Sequence, residues 1–225
     1  MKVIVSDPIS EQGLKILKDN NIEVIDAYGA DIDENYKHIK TADGWIIRSG
    51  TILDSKIIDK ASNLSVIGRA GVGVDNIDIS AATRKGIVVM NTPDANTISA
   101  AEHTMALILA LSRNVSFGHI ELLKGKWNRQ MLIGSELHGK TIGIVGLGKI
   151  GREVMRRSKA FNMQILGYDP FIPDDFFRED EIEICDFEYL IKKSDFITLH
   201  IPLTNDTKNL FDYGSLVKMK KEARI

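Results

Sequence analysis

The sequence predicts an α/β protein built as two parallel-sheet units in tandem. Two observations predict it. Short β-branched runs alternate with longer amphipathic runs, first over residues 1–95 and again from Lys140 onward. Each series also carries a glycine-rich turn straight after a strand-like run: GRAGVGVDNID at Gly68–Asp78 and GLGKIG at Gly146–Gly151. Residues 1–95 are expected to form a flavodoxin-like unit. Residues 96–225 are expected to form a Rossmann, doubly wound dinucleotide-binding unit that is C-terminally incomplete.

In the first unit the strand candidates are Val3–Val5, Ile22–Ile25, Gly44–Ile47, Leu64–Ile67 and Ile87–Met90. Helix candidates between them are Ser10–Asp19, Glu34–Lys40, Asp54–Ala61 and Ile79–Lys85, the last ended by Gly86. Strands separated by helices require right-handed crossovers, and so a parallel sheet covered on both faces. The pattern then changes. Thr97 or Ser99 can cap a helix over about 100–113 that is apolar nearly all round, which predicts burial between domains or against another subunit. A second helix, about Ser116–Lys124, ends at Gly125, and an irregular stretch with Trp127, Met131 and Ile133 follows.

The second series places strands at Thr141–Val145, Gln164–Gly167 and Phe196–His200, with a short apolar piece at Ile182–Ile184. Helices are expected at Ile150–Phe161, Phe187–Lys193 and Leu210–Met219, and Ala223–Ile225 looks like the start of a further strand.

Composition excludes several classes. A net charge of -2 argues against a broad electrostatic grip on nucleic acid or anionic lipid. The one cysteine, Cys185, rules out an internal disulfide or thiolate metal cluster, and no metal is expected. The longest apolar stretch, Met105–Leu111, is far short of a membrane span, and no leader is recognised before Lys2. A cytoplasmic protein without a membrane partner is expected.

Of the two glycine turns, the second has the chemistry of a cofactor site. Gly146 allows a tight turn, Gly148 lets the backbone approach a pyrophosphate, and Gly151 lets the helix pack close to the strand. Helix N–H groups then face the phosphates. Asp169, 18 residues after Gly151, ends the next strand, where a carboxylate accepts from ribose hydroxyls and repels a 2′-phosphate. The expected cofactor is NAD. The first turn fails the same test. Asn76 stands where the third glycine belongs, and Asp94 falls beyond its strand, after Asn91-Thr92-Pro93. Its backbone N–H groups at Gly71, Val72 and Gly73, with Arg69 alongside and Arg48-Ser49 at a neighbouring strand end, suit a small anion instead. Ordinary surface arginines paired with acids remain the alternative.

Arg48-Ser49-Gly50, GRAGVGVDNID, MNTPDANTISAAEHTMALILALSR, LLKGKWNR, GKTIGIVGLGKIGREV, GYDP and DFITLHIPLT together resemble the NAD-dependent D-2-hydroxyacid dehydrogenases, over almost the whole chain. GRAGVGVDNID and KWNR point within that family to members acting on a phosphorylated acid; the alternatives are another 2-hydroxy acid, such as glyoxylate or hydroxypyruvate, and a non-enzymatic NAD-sensing protein on the same fold. The resemblance implies that Arg48, Ser49, Arg69 and the backbone of Gly71, Val72 and Gly73 hold a small anionic 2-hydroxy acid, with Arg129 reaching toward phosphate. It implies that Lys149, Ile150, Asp169, His200, Ile201 and Pro202 line the NAD pocket, with Val72 and Thr104 near the nicotinamide. It also implies a homodimer or higher homo-oligomer formed through residues 98–125. The family's catalytic arginine, glutamate and histidine fall beyond Ile225, so no catalytic residue is expected within this chain, and little or no turnover from it. His200 is read as a residue packed under the cofactor rather than as an acid or base.

Overall fold

The computed structural model describes residues 1–29, 38–173, 176–177 and 182–225. The expected helix over 34–40 lies largely outside these. Contacts divide the chain into Met1–Asn96 and Thr97–Ile225.

The first unit contains β1 (Lys2–Val5), α1 (Glu11–Asp19), β2 (Glu23–Asp26), β3 (Gly44–Ile47), α2 (Ser55–Lys60), β4 (Val66–Arg69), α3 (Ile79–Arg84) and β5 (Val88–Asn91). All pairings are parallel, in the order β2-β1-β3-β4-β5. That is the flavodoxin-like order, whose switch point lies between β1 and β3. The central strands read as apolar runs because both sheet faces are covered. Ile4, Trp45, Ile47 and Ile67 are almost wholly buried, together with Leu53 and Ile58 from the connections. Helix ends are satisfied locally: the side chains of Ser10, Asp54 and Asp78 accept from N–H groups of the first turn of α1, α2 and α3. Lys85 Nζ donates to the carbonyl oxygens of Ile58, Asp59 and Ala61, each at 2.9 Å, and so closes the C-terminus of α2. Gly86 ends α3 at φ +70, as expected from the sequence.

The second unit opens with α4 (Thr97–Ser112) and α5 (Val115–Leu123), followed by a 3₁₀ turn at Arg129–Leu132. Helix α4 starts at Thr97, so neither Thr97 nor Ser99 lies outside it as a cap. It buries Ala101, Met105, Ile108 and Ser112, and leaves Leu107 and Leu111 exposed. The helix is therefore half covered within its own unit. Ser158 Oγ, on the helix Lys149–Ala160, lies 3.7 Å from Met105 Sδ of α4. Strands β6 (Thr141–Val145), β7 (Gln164–Tyr168), β8 (Glu183–Ile184) and β9 (Phe196–Leu199) form a parallel sheet in the order β8-β7-β6-β9. This is one half of the doubly wound arrangement, with its switch point between β6 and β9. Arg224 adds a parallel bridge to Phe196, in line with the further strand expected at Ala223–Ile225.

Helices α6 (Lys149–Ala160), α7 (Phe187–Lys193) and α8 (Tyr213–Lys218) complete the unit. Helix α8 is shorter than the expected 210–219, because the Asp212 carboxylate accepts from Ser215 N–H at 2.8 Å and starts the helix there. Helix α7 packs tightly on β6, where a Cβ on Gly143 would overlap Ser194 Oγ. Among the described residues no single helix is long and apolar enough to cross a membrane, though the bent pair α4 and α5, 64° apart, passes the same test by length and composition.

Candidate functional site

In the second unit the GLGKIG turn leaves the buried end of β6. Gly146 adopts φ +93, a conformation that side chains resist, and a Cβ there would lie 2.6 Å from the carbonyl oxygen of His200. A Cβ on Gly151 would overlap the carbonyl oxygen of Gly146 itself. A Cβ on Gly148 would meet nothing within 4 Å. Two glycines therefore shape the turn, and the third keeps open space above it. Gly148 is the N-cap of α6 and brings no capping side chain, so it leaves room for an anion at the helix start. These residues fit a pyrophosphate.

The Asp169 carboxylate follows the end of β7. Its Oδ2 accepts from Leu147 N–H at 2.9 Å and its Oδ1 from Phe171 N–H at 3.0 Å. The acid is thus fastened to the glycine turn and half-buried. Across the switch point, the segment after β9 closes the other side: the Gly146 Cβ position lies 2.7 Å from Ile201 Cγ2. His200 and Ile201 are half-buried and Pro202 is exposed. Ile150 is half-buried and Lys149 exposed at the start of α6. Thr104 sits on α4, its hydroxyl donating back to Ala100 C=O at 2.9 Å.

His200 Nε2 lies 3.0 Å from Thr198 Oγ1, and burial pushes its pKa down to about 4. The ring is neutral at ordinary pH. Unfolded, it takes up a proton near pH 6.5; folded, only near 4. Its contribution to stability is therefore complete above pH 6.5 and is lost as pH falls from 6.5 toward 4. Replacing His200 by glutamine is expected to flatten the pH dependence of urea midpoints across that window. An unchanged slope contradicts the assignment.

In the first unit the GRAGVGVDNID turn leaves β4. Gly71 N–H donates to Arg69 C=O at 2.8 Å, so of the three amides expected to face an anion this one is engaged in the turn. A three-residue turn that reverses directly after the strand uses its own first N–H. The amides of Val72 and Gly73 have no protein acceptor among the described residues. The Arg69 guanidinium lies over Gly71, where a Cβ would overlap Nη1. Arg48 and Ser49 are exposed, one residue beyond the Ile47–Arg69 register pair. Arg48 lines a groove with Pro8, Ile9, Ile46, Ala70, Thr92 and Ala95. Arg129, on the second unit, is exposed and stacks its guanidinium 5.7 Å from the Trp127 ring centroid.

Among the described residues the buried side-chain polar atoms without a partner are Arg69 Nε and Asn76 Oδ1, and both belong to this one turn. A buried polar atom without a protein partner calls for an explanation, and a ligand held at the turn is one. Sequence reasoning missed two residues that hold the Arg48 backbone beside this turn. Asp7, two residues beyond the end of β1, accepts from Arg48 N–H, and Asn76 donates to Arg48 C=O. Asp7 stands before Pro8 just past a strand end, which is the signal that could have found it.

No group of three His, Cys, Asp or Glu residues among the described ones is placed to hold a metal ion. Burial, with help from Glu183 and Asp186, pushes the Cys185 thiol up to about 11, which removes it as a nucleophile.

A glycine cradle at the switch point of a parallel sheet, with an acid at the neighbouring strand end, defines a dinucleotide-binding protein of the Rossmann type. Residues 105–225 match the family described as D-isomer specific 2-hydroxyacid dehydrogenase, NAD binding domain. The chain belongs to that family. It is 48% identical over its full length to D-3-phosphoglycerate dehydrogenase of Methanocaldococcus jannaschii, covering 43% of that relative. It is 44% identical over 98% of its length to the enzyme of the same name from Archaeoglobus fulgidus, covering 42% of it. The chain thus spans less than half the length of these relatives. Among solved structures, NAD-dependent formate dehydrogenase from Staphylococcus aureus in complex with NAD superposes with TM-score 0.89 at 34% identity, over 99% of this chain and 72% of that one.

Proposed function

We propose that this chain supplies the NAD-binding part and a substrate-binding part of an enzyme that oxidises D-3-phosphoglycerate to 3-phosphohydroxypyruvate, a step of serine biosynthesis. The observation that carries the reading is the open cradle at Gly148, bounded by the fixed turns at Gly146 and Gly151 and by Asp169. Gly146, Gly148, Lys149, Ile150, Gly151, Asp169, His200, Ile201 and Pro202 would hold NAD, with Val72 and Thr104 at its nicotinamide end. NAD, when bound, accepts the hydride from C2 of the acid. Arg48, Ser49, Arg69 and the amides of Val72 and Gly73 would hold the substrate's carboxylate and phosphate by charge-assisted hydrogen bonds. Arg129 is proposed to approach the phosphate. Residues 1–95 and 96–225 are the proposed substrate-binding and NAD-binding domains.

Loss of hydride from C2 must be matched by loss of the hydroxyl proton to a base, beside a cation that stabilises the developing charge. The neutral His200, held to Thr198, is proposed as pocket wall and not as that base. The 225 residues alone are therefore proposed to bind NAD and to turn over little or not at all. The exposed apolar side chains of Leu107, Leu111, Val115, Ile120 and Leu123 support a homodimer through residues 98–125. A cytoplasmic location is supported by the single cysteine.

The test is made on the whole protein. We expect kcat/KM for D-3-phosphoglycerate to exceed that for unphosphorylated D-glycerate by about a hundredfold, the worth of one or two charge-assisted hydrogen bonds. Sedimentation equilibrium on the same sample should give at least a dimer mass. Equal kcat/KM for the two acids reassigns the substrate to another 2-hydroxy acid, such as glyoxylate or hydroxypyruvate in the reducing direction.

A further inference from the structure

The Arg48–Gly50 loop is exposed, yet it is held from two opposite chemical sides. Asp7, only 7% exposed, accepts through Oδ2 from Arg48 N–H at 2.6 Å and from Thr51 N–H at 3.1 Å. Asn76 donates through Nδ2 to the carbonyl oxygens of the same two residues, Arg48 and Thr51, each at 2.6 Å. Both backbone groups of both residues flanking Ser49-Gly50 are thereby fixed. A Cβ on Gly50 would overlap Asp7 Oδ1, so only glycine lets the loop close over the acid. The hold continues into the core: Thr51 Oγ1 lies 2.8 Å from Ser6 Oγ, which accepts from Nε1 of the buried Trp45 at 2.9 Å.

This arrangement carries a cost that simple loop closure does not require. Asn76 Oδ1 is buried without a partner among the described residues. Rotating the amide would not relieve it, because the oxygen would then face two carbonyl oxygens. The unpaired acceptor is retained while the two donor contacts are kept. Asn76 also belongs to the turn that presents Arg69 and the free amides of Val72 and Gly73. Its side chain therefore ties that turn to the Arg48 loop, 28 residues away in sequence.

We propose that Asp7 and Asn76 are positioning residues that lock the Arg48–Gly50 loop to the Gly71–Asn76 turn, so that two separate segments present one fixed anion-binding geometry. The proposal rests on the reading of these segments as substrate-binding. A site held within tenths of an ångström by its supporting shell binds without first ordering its loops.

Isosteric exchanges separate hydrogen bonding from packing. Asn76→Asp replaces the donor by an oxygen aimed at two carbonyls, whereas Asp7→Asn retains an acceptor oxygen at equal size. In the 225-residue chain with NAD present, amide hydrogen exchange is read together with titration of 3-phosphoglycerate. In Asn76→Asp, exchange at the Arg48 and Thr51 amides should rise at least about tenfold. Exchange in β6 should stay unchanged, and affinity for 3-phosphoglycerate should fall at least about tenfold at low and at high salt alike, without change in NAD affinity; a fall that high salt abolishes is repulsion by the added carboxylate and overturns the proposal. Asp7→Asn should remain within about threefold of the parent on all readouts. Unchanged exchange at Arg48 and Thr51 in Asn76→Asp overturns the proposal, as does faster exchange with unaltered 3-phosphoglycerate affinity. If the parent chain binds no 3-phosphoglycerate, the substrate reading fails, and the exchange result alone decides whether the lock exists.

Discussion

Gly151→Ala is expected to destabilise the Thr97–Ile225 unit by about 3 kcal/mol or more, whereas Gly148→Ala is expected to leave its stability within about 0.5 kcal/mol. The contrast follows from what a methyl group meets. At Gly151 it overlaps the Gly146 carbonyl, a backbone atom at the centre of a turn already committed to φ +93. Neither partner can rotate away, so relief requires α6 to move off β6. At Gly148 the same methyl enters open space. That space is where a pyrophosphate would sit, so Gly148→Ala should weaken NADH binding by about a hundredfold while the fold is kept. Thermal unfolding of the two variants should show a loss of about 10 °C for Gly151→Ala and little for Gly148→Ala. Fluorescence titration with NADH gives the affinities. Parent-like NADH affinity in Gly148→Ala would remove the cradle from the cofactor assignment.

The cofactor half of the molecule was legible because its signals are local. A strand, three glycines at fixed offsets, a helix and an acid 18 residues on occupy one continuous segment, and each has a conformational reason that sequence displays. The flavodoxin-like order of the first sheet was legible for a related reason, since short apolar runs punctuated by helices leave few topologies. Helix ends were partly legible. Gly86 and Gly125 announce left-handed termini and adopt φ +70 and +72, but Asp212 went unread as a cap, and α8 was expected too long.

The first glycine turn shows where local signals stop. Asn76 reads as a glycine fingerprint with its third glycine missing, which is a statement of what it is not. Its contacts are to Arg48 and Thr51, 28 and 25 residues earlier, and Asp7 reaches the same two residues from 41 and 44 positions away. Such pairings exist only once β1, β3 and β4 lie side by side, so no periodicity or motif encodes them. The turn's own geometry also escaped. That Gly71 spends its N–H on Arg69 depends on one backbone reversal, and residue types tolerate several.

Asp169→Ala is expected to lower NAD affinity by about fiftyfold with the fold retained, and to narrow the preference for NAD over NADP. Two separable losses produce the first effect. The carboxylate accepts from Leu147 N–H, so removing it releases the glycine turn and leaves a donor whose loss costs about 1 kcal/mol of stability. It is also the proposed acceptor at the end of β7 for ribose hydroxyls, and alanine offers none. The second effect has a different origin. A 2′-phosphate brought close to a carboxylate is repelled, and deleting the carboxylate removes that penalty. NADH affinity should therefore fall while NADPH affinity holds or rises. Asp169→Asn separates the contributions: its amide oxygen can still accept from one of Leu147 and Phe171, but its NH₂ faces the other donor. It should retain more stability than alanine and lose NAD selectivity to the same degree. Paired NADH and NADPH titrations of the three proteins read both quantities. A parallel fall in both affinities would mean that the acid only braces the turn, and discrimination at the 2′ position would then have to come from another residue.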